Sequence, residues 1–213
     1  MKRLLILPCL LAILAGSALA GTALASDAND RYLALLHAAR SGHGPVDWQA
    51  LRVAYAGSDA FDLDDLGTAT ARRGMFQALK DENDATALSY ARKIIDKNYV
   101  DIDAHRVAAL AYKALDDDDS AAREQDIAAG LMKSVMTGDG QSAKTAFTVI
   151  TVHEEYAVIH ALGRDVTRQA LISEGGHSYD LLKTVDAAGG ARSYYFLVDR
   201  VLAAEAALLK TNP

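Results

Sequence analysis

Side chains that can do chemistry gather at a few places along this sequence. In DIDAHRVAALAYKAL, residues 101–115, His105 and Arg106 stand side by side and Tyr112 follows at helical spacing. An arginine fork at such a place can grip a partner's carboxylate through two parallel hydrogen bonds. The histidine has a blander role available. Ile102, His105, Ala109 and Tyr112 form one helical stripe, so the ring packs between helices with a nitrogen bonded to a neighbouring backbone or carboxylate group. Arg106, His105 and Tyr112 are therefore the candidate binding residues, with packing the favoured role for His105.

Four other clusters invite stronger chemistry and fit it poorly. HEEYAVIH, residues 153–160, is not the H-E-x-x-H zinc motif, because its second histidine comes too late. On a strand, His153 and His160 would point to opposite faces; on a helix they would sit two turns apart. Neither arrangement holds one ion well, and no metal site is assigned. Glu154 and Glu155 read as a solvated strand edge that discourages edge pairing. EGGHSYD brings His177, Ser178 and Asp180 together after a Gly-Gly turn, but neighbours on a strand diverge and no G-x-S-x-G elbow precedes them. His177 and Ser178 fit a loop–strand junction and Tyr179 the core. FDLDDLG resembles a calcium loop only faintly. Leu66 occupies a ligand position, and Arg73 stands where a bidentate acid belongs. The run Asp116–Asp119 reads as a helix cap and solvated turn. No catalytic residue and no cofactor is assigned on these grounds.

The elements that must position these residues change character along the chain. Lys2 and Arg3, an apolar run over 4–15 and two A-x-A sites ending at Ala20 and Ala25 have the pattern of a cleaved export leader over residues 1–25. The apolar run is shorter than the ~20 residues a spanning helix needs, so no membrane span is expected. Cys9 would leave with the leader, and the remaining chain would have no cysteine, as suits an oxidising compartment reached without disulfides. Loss of Lys2 and Arg3 would take the net charge from −6 to −8. An acidic chain without a Lys/Arg cluster does not suit nucleic acid or an anionic membrane surface.

Residues 26–137 show helical spacing. Asp27 or Asp30 is expected to cap a helix carrying Tyr32, Leu35, Leu36 and Ala39; a second contains Trp48, Leu51 and Tyr55; a third is expected to start near Leu63 with acids in its first turn. DATALSYARKIIDKN, DIDAHRVAALAYKAL and DSAAREQDIAAGLMKSVMTG follow, separated by short polar turns. In residues 138–213 the period falls to two. TAFTVIT and EEYAVIHAL are expected to form one hairpin turning near Val152-His153, and HSYDLLKTV and RSYYFLVD a second around Gly189-Gly190. RVLAAEAALLK returns to helix. The expected architecture is α+β: antiparallel helices, then a small antiparallel sheet, sharing one core.

The three middle helices resemble a tetratricopeptide repeat. Ala109 and Tyr112 fall on the small and aromatic slots of a first helix, Ala121 and Ala128 on small slots of the second, and Ala87 opens the helix before them. Small residues let helix backbones approach closely, and a ring fills the space beside them. LRVAY, NYVDIDAHR, GLMKSVMTGDG, AFTVITVHEEYAVIHALG, GHSYDLLKTV and YYFLVD together resemble a family of uncharacterised secreted bacterial proteins known only as a domain of unknown function. That resemblance implies repeat-like helices plus a C-terminal sheet, and it carries no activity. The expected role is that of a periplasmic or secreted interaction module whose helical groove takes an envelope protein or peptide. A hydrolase using Glu155, His160, His177 or Asp180, or a small-ligand site between helices and sheet, is the alternative.

Overall fold

A computed structural model of the chain describes residues 17–211 apart from residue 64. Most of the expected leader, residues 1–16, lies outside the described residues. Helix α1 runs Ser17–Ser41, followed by α2 (Trp48–Ala56), α3 (Ala69–Lys80), α4 (Asp84–Lys97), α5 (Ile102–Ala114) and α6 (Asp118–Val135). A short strand β1 (Phe147–Thr148), helix α7 (Val152–Ala161), strands β2 (Arg164–Glu174), β3 (His177–Asp186) and β4 (Ala191–Leu197) and helix α8 (Asp199–Thr211) complete the chain. The fold is α+β, with helices preceding a mixed sheet.

The middle helices form for local reasons that are plain in the sequence. Asn83, Asp101 and Asp117 each accept a hydrogen bond from a backbone N–H in the first turn of α4, α5 and α6, which satisfies a donor no helix can satisfy itself. The Asp116–Asp119 run thus includes a true cap. Ala87, Ala91, Ala104, Ala108 and Ala111 bury almost completely among Met75, Leu88, Ile94 and Val107, so α3, α4 and α5 approach closely. A second, larger cluster draws Tyr32, Leu51, Tyr55 and Leu131 from the helices together with Phe147, Val158, Leu182 and Phe196. Helices and sheet therefore share one core.

Several expectations are corrected. Helix α1 passes through Asp27 and Asp30, so neither caps it. Helix α3 begins at Ala69 rather than near Leu63. The Asp62 carboxylate accepts the backbone N–H groups of Leu66 and Gly67 and folds that stretch into a turn, and Asp65 takes a positive φ of 54°. The expected first hairpin does not exist. Only Phe147–Thr148 is strand, paired parallel to Phe196–Leu197, and the second segment is α7. Its apolar residues bury as a run, Ala157, Val158 and Ile159, which alternation cannot produce on a strand packed on one face. The sheet, ordered β1-β4-β3-β2, is accordingly mixed rather than wholly antiparallel. The second hairpin, β3–β4, forms as expected, with Val185 opposite Ala191 beside the turn. Strand β2 is not among the expected strands, because both of its faces are largely polar and exposed and its period is faint.

Gly140 joins the helical part to the sheet. Its N–H donates to the Thr145 carbonyl and its carbonyl accepts from Tyr195, each at 2.8 Å. Its φ is +70°, and a Cβ placed there would lie 2.5 Å from the Phe147 ring, itself fully buried. Gly140→Ala is therefore expected to cost at least ~2 kcal/mol, from left-handed backbone strain plus overpacking, read as a lowered urea midpoint with an unchanged slope.

Candidate functional site

Charged side chains are buried at the junction of helices and sheet. Arg52, on α2, is 1% exposed and spends its donors on five acceptor atoms, the Ser134 hydroxyl among them. Its Nε donates to Glu154 Oε1 at 2.7 Å and its Nη2 to Glu154 Oε2 at 2.5 Å, a bidentate pair. Nη1 reaches the Ser134 carbonyl at 2.9 Å and Nη2 the Thr148 carbonyl at 3.0 Å. Glu154 Oε2 also accepts the N–H of Ile150 at 2.8 Å. The expectation that Glu154 and Glu155 form a solvated edge is overturned, because α7 turns both inward.

A second network lies beside the first. Arg72, on α3, donates from Nε to Asp65 Oδ2 at 2.7 Å and from Nη2 to Asp101 Oδ2 at 2.6 Å. Asp101 Oδ1 meanwhile caps α5 through Ala104. Thr68 donates its hydroxyl to Asp65, and His153 Nε2 stands 3.4 Å from Asp65 Oδ2. Burial pushes the Asp65 carboxyl up, but His153 and Arg72 outweigh that and hold it at about 2. Burial, reinforced by Asp101, holds Asp103 above the usual carboxylate range, with Arg106 opposing it. The space these groups enclose is about 20 Å³, room for about one water. Their charges are spent on one another, so the arrangement works as a clasp between α3, α5 and α7 more than as a receptacle.

The three sequence candidates do not converge. His105 is fully buried between α5 and α6, its Nδ1 2.5 Å from Glu124 Oε2 and its Nε2 2.9 Å from the Tyr99 carbonyl, with the Tyr99 ring edge-on at 5.1 Å. Tyr112 turns toward α4, where its hydroxyl accepts from Arg92 Nε at 3.1 Å and its ring lies under the Arg92 guanidinium. Arg106 is the one that reaches open space. Its side chain is 43% exposed, its nearest acid is Asp103 at 3.5 Å, and it lines a groove along α5 and α6. Lys113 and Gln125 share the groove walls, and Ala109, Ala121, Ala128 and the 56%-exposed Leu110 supply its apolar surface. The groove offers about 360 Å³, within the range of ligand pockets. Its walls thus carry two cations beside an apolar floor, with the Lys113 ammonium 2.7 Å from Asp118 Oδ1.

The residues considered for hydrolysis are dispersed. His177 Nδ1 lies 2.6 Å from Asp199 Oδ2, and Asp199 Oδ1 accepts from the Ser178 N–H, which fastens α8 to β3. His160 is exposed at the far end of α7. Tyr179 is core, as expected. Glu155 is fully buried, and among the described residues neither of its oxygens has a hydrogen-bond partner. No group of three or more His, Cys, Asp or Glu side chains among the described residues is placed to hold a metal ion. No described helix is long and apolar enough to cross a membrane.

A family model described as a domain of unknown function, DUF4919, matches residues 58–207, more than half of the chain. The chain belongs to this family. No curated protein and no solved structure matches it. The DUF4919 region contains the Asp65–Arg72–Asp101 clasp, the groove and all of α7, while Arg52 precedes it.

Burial, then repulsion from Asp180 and Glu154, pushes the Glu155 carboxyl up to about 9 from its ordinary 4.5. The folded state therefore holds a proton there that the unfolded chain releases. This contribution is fully present below pH 4.5 and is lost as pH rises toward about 9. Glu155→Gln cannot ionise. Its urea midpoint is expected to exceed that of the parent by a margin that is smallest near pH 4.5 and widens up to pH 9. A constant margin across that range would contradict the assignment.

Proposed function

We propose that this chain is an exported interaction module that binds an extended, carboxylate-bearing segment of an envelope protein in the α5–α6 groove. The observation that carries this reading is the pairing of Arg106 and Lys113 with exposed Leu110 on one open surface. A guanidinium that is half in solvent, with its nearest acid at 3.5 Å, keeps donors for a second carboxylate. Helix pairs that meet through alanines, as in tetratricopeptide repeats, leave such grooves between them. On this reading the three candidates divide the work. His105 holds α5 against α6 through Glu124, Tyr112 braces α5 against α4 through Arg92, and Arg106 meets the ligand.

Site-specific photocrosslinking tests it. A photoreactive residue at position 110 is expected to give a discrete adduct in cells. Arg106→Glu with Lys113→Glu should reduce that adduct roughly tenfold or more while leaving the circular dichroism unchanged. The absence of an adduct, or its persistence after charge reversal, would refute the groove.

Export belongs to the same proposal. Residues 1–25 act as the leader and the working location is the periplasm or beyond. What supports this is the n-region, apolar run and A-x-A pattern together with where folding contacts start. Asn29 bonds Asp59 through side chain and backbone, and Tyr32 packs on the Tyr55 ring, so cleavage at either site spares them. Intact-mass measurement of the protein from an envelope fraction is expected to give a chain starting at Gly21 or Ser26. Recovery of the uncleaved chain from the cytoplasm would exclude it.

A further inference from the structure

Strand β2 ends the sheet, with β3 as its one neighbour in the order β1-β4-β3-β2. Among the described residues no strand pairs with its outer side. Such an edge presents a row of unpaired N–H and C=O groups, and proteins commonly blunt it with proline, a bulge or a short length. Here the irregularity lies early, between Val166 and Arg168, and the stretch from Arg168 to Glu174 then runs in unbroken register against residues 177–183. No proline interrupts it. Leu171, at its midpoint, is 57% exposed.

The stretch is also self-complementary. In a two-fold antiparallel pairing each side chain stays on its own face of the joined sheet, so only residues an even number apart can oppose one another. Of the registers this allows, the one centred on Leu171 sets Arg168 of each copy opposite Glu174 of the other. It also sets Ala170 opposite Ile172 and Gln169 opposite Ser173, while Leu171 meets its own copy. Arg168 and Glu174 are exposed, and neither forms an ion pair among the described residues. Within one chain, Arg168 faces Lys183 across β3, a like-charge pairing that costs stability. An acid from a second copy, placed on its other side, relieves that repulsion.

We propose that two copies of this chain pair along the outer edges of β2, in the register centred on Leu171, to form one continuous eight-stranded sheet from two four-stranded ones. The occupant of the edge is a second copy because the sequence of the edge complements itself in charge and in apolar pattern. This surface is separate from the α5–α6 groove, so the dimer stands or falls independently of the binding proposal.

Analytical ultracentrifugation of the purified protein tests the pairing, with circular dichroism to verify that each variant is folded. The parent is expected to sediment as a dimer. Arg168→Glu places acid against acid at both ends of the contact, and Glu174→Arg places base against base. Each should weaken association roughly tenfold or more and sediment as monomer at the same concentration. Mixing the two variants restores both opposite-charge pairs, so an equimolar mixture should return to dimer. The double variant Arg168→Glu/Glu174→Arg should pair with itself. A parent that is monomeric at every concentration, single reversals that remain dimeric, or a mixture that stays monomeric would each overturn the proposal.

Discussion

The join between helices and sheet depends on the guanidinium of Arg52. Secondary structure leaves unsatisfied groups where it stops, and several stop here. Ser134 lies in the last turn of α6, whose carbonyls have no partner further along the helix, and Thr148 ends the two-residue strand β1. Arg52 donates to both carbonyls and to the Ser134 hydroxyl, and Glu154 accepts from Nε and Nη2 and from the Ile150 N–H. An apolar residue of equal volume would leave those part-buried carbonyls without this donor, at a cost of up to ~1–3 kcal/mol each. Removing either partner is worse, since an unpaired buried charge costs ~3–5 kcal/mol. The planar fork matters as well as the charge, because a lysine offers no geometry that meets a carboxylate and two separate carbonyls at once.

Neighbouring carboxyls meet different fates according to what stands near them. Glu154 and Glu155 are adjacent on α7 and both are buried. The first faces a guanidinium, while the second faces apolar surroundings and the field of Asp180, and it keeps its proton. Asp65 shows the opposite balance. Arg72 and His153 outweigh its burial, and the carboxylate stays ionised although its backbone is strained at φ 54°. The strain is sustained because Asp65 is held from both sides, by Arg72 on α3 and by Thr68 at the entry to that helix.

Local rules made much of the fold legible. The cap within the Asp116–Asp119 run, the alanine-rich stretches of α4–α6 and the Gly-Gly turn between β3 and β4 are decided within a few residues, and the structure adds caps of the same local kind at Asn83 and Asp101. Helix α7 was not legible from periodicity, since burial on most of its sides erases the 3.6-residue signal and leaves an accidental alternation. A better signal was present: Thr151 followed by Glu154 is the spacing of a capping box, although the glutamate serves Ile150 rather than Thr151. The clasp residues carried no such mark. Arg52 and Glu154 are 102 positions apart, and Arg72 and Asp101 are 29, so each looks like an ordinary surface charge until the chain folds. His105 was legible as packing because its stripe is local. The opening beside Arg106 was legible only in part, since it depends on how α6 lies against α5.

Helix α5 shows why a rigid clasp and an open groove coexist. Asp101, at its start, is tied to Arg72, and His105, one turn later, is tied to Glu124. These bonds fix the helix at its N-terminal end and along its buried side. Arg106, Leu110 and Lys113 fall on the other side and stay exposed. Side chains on an immobilised helix lose little additional backbone freedom when they bind, so less of the interaction energy is consumed in ordering. Asp103 sits between the two regimes. It lines the clasp yet lies 3.5 Å from Arg106, and its carboxyl is already pushed toward the neutral form by burial and by Asp101. Burial and Asp101 oppose the charge on Asp103 that Arg106 favours, so the two side chains are coupled across the edge between clasp and groove.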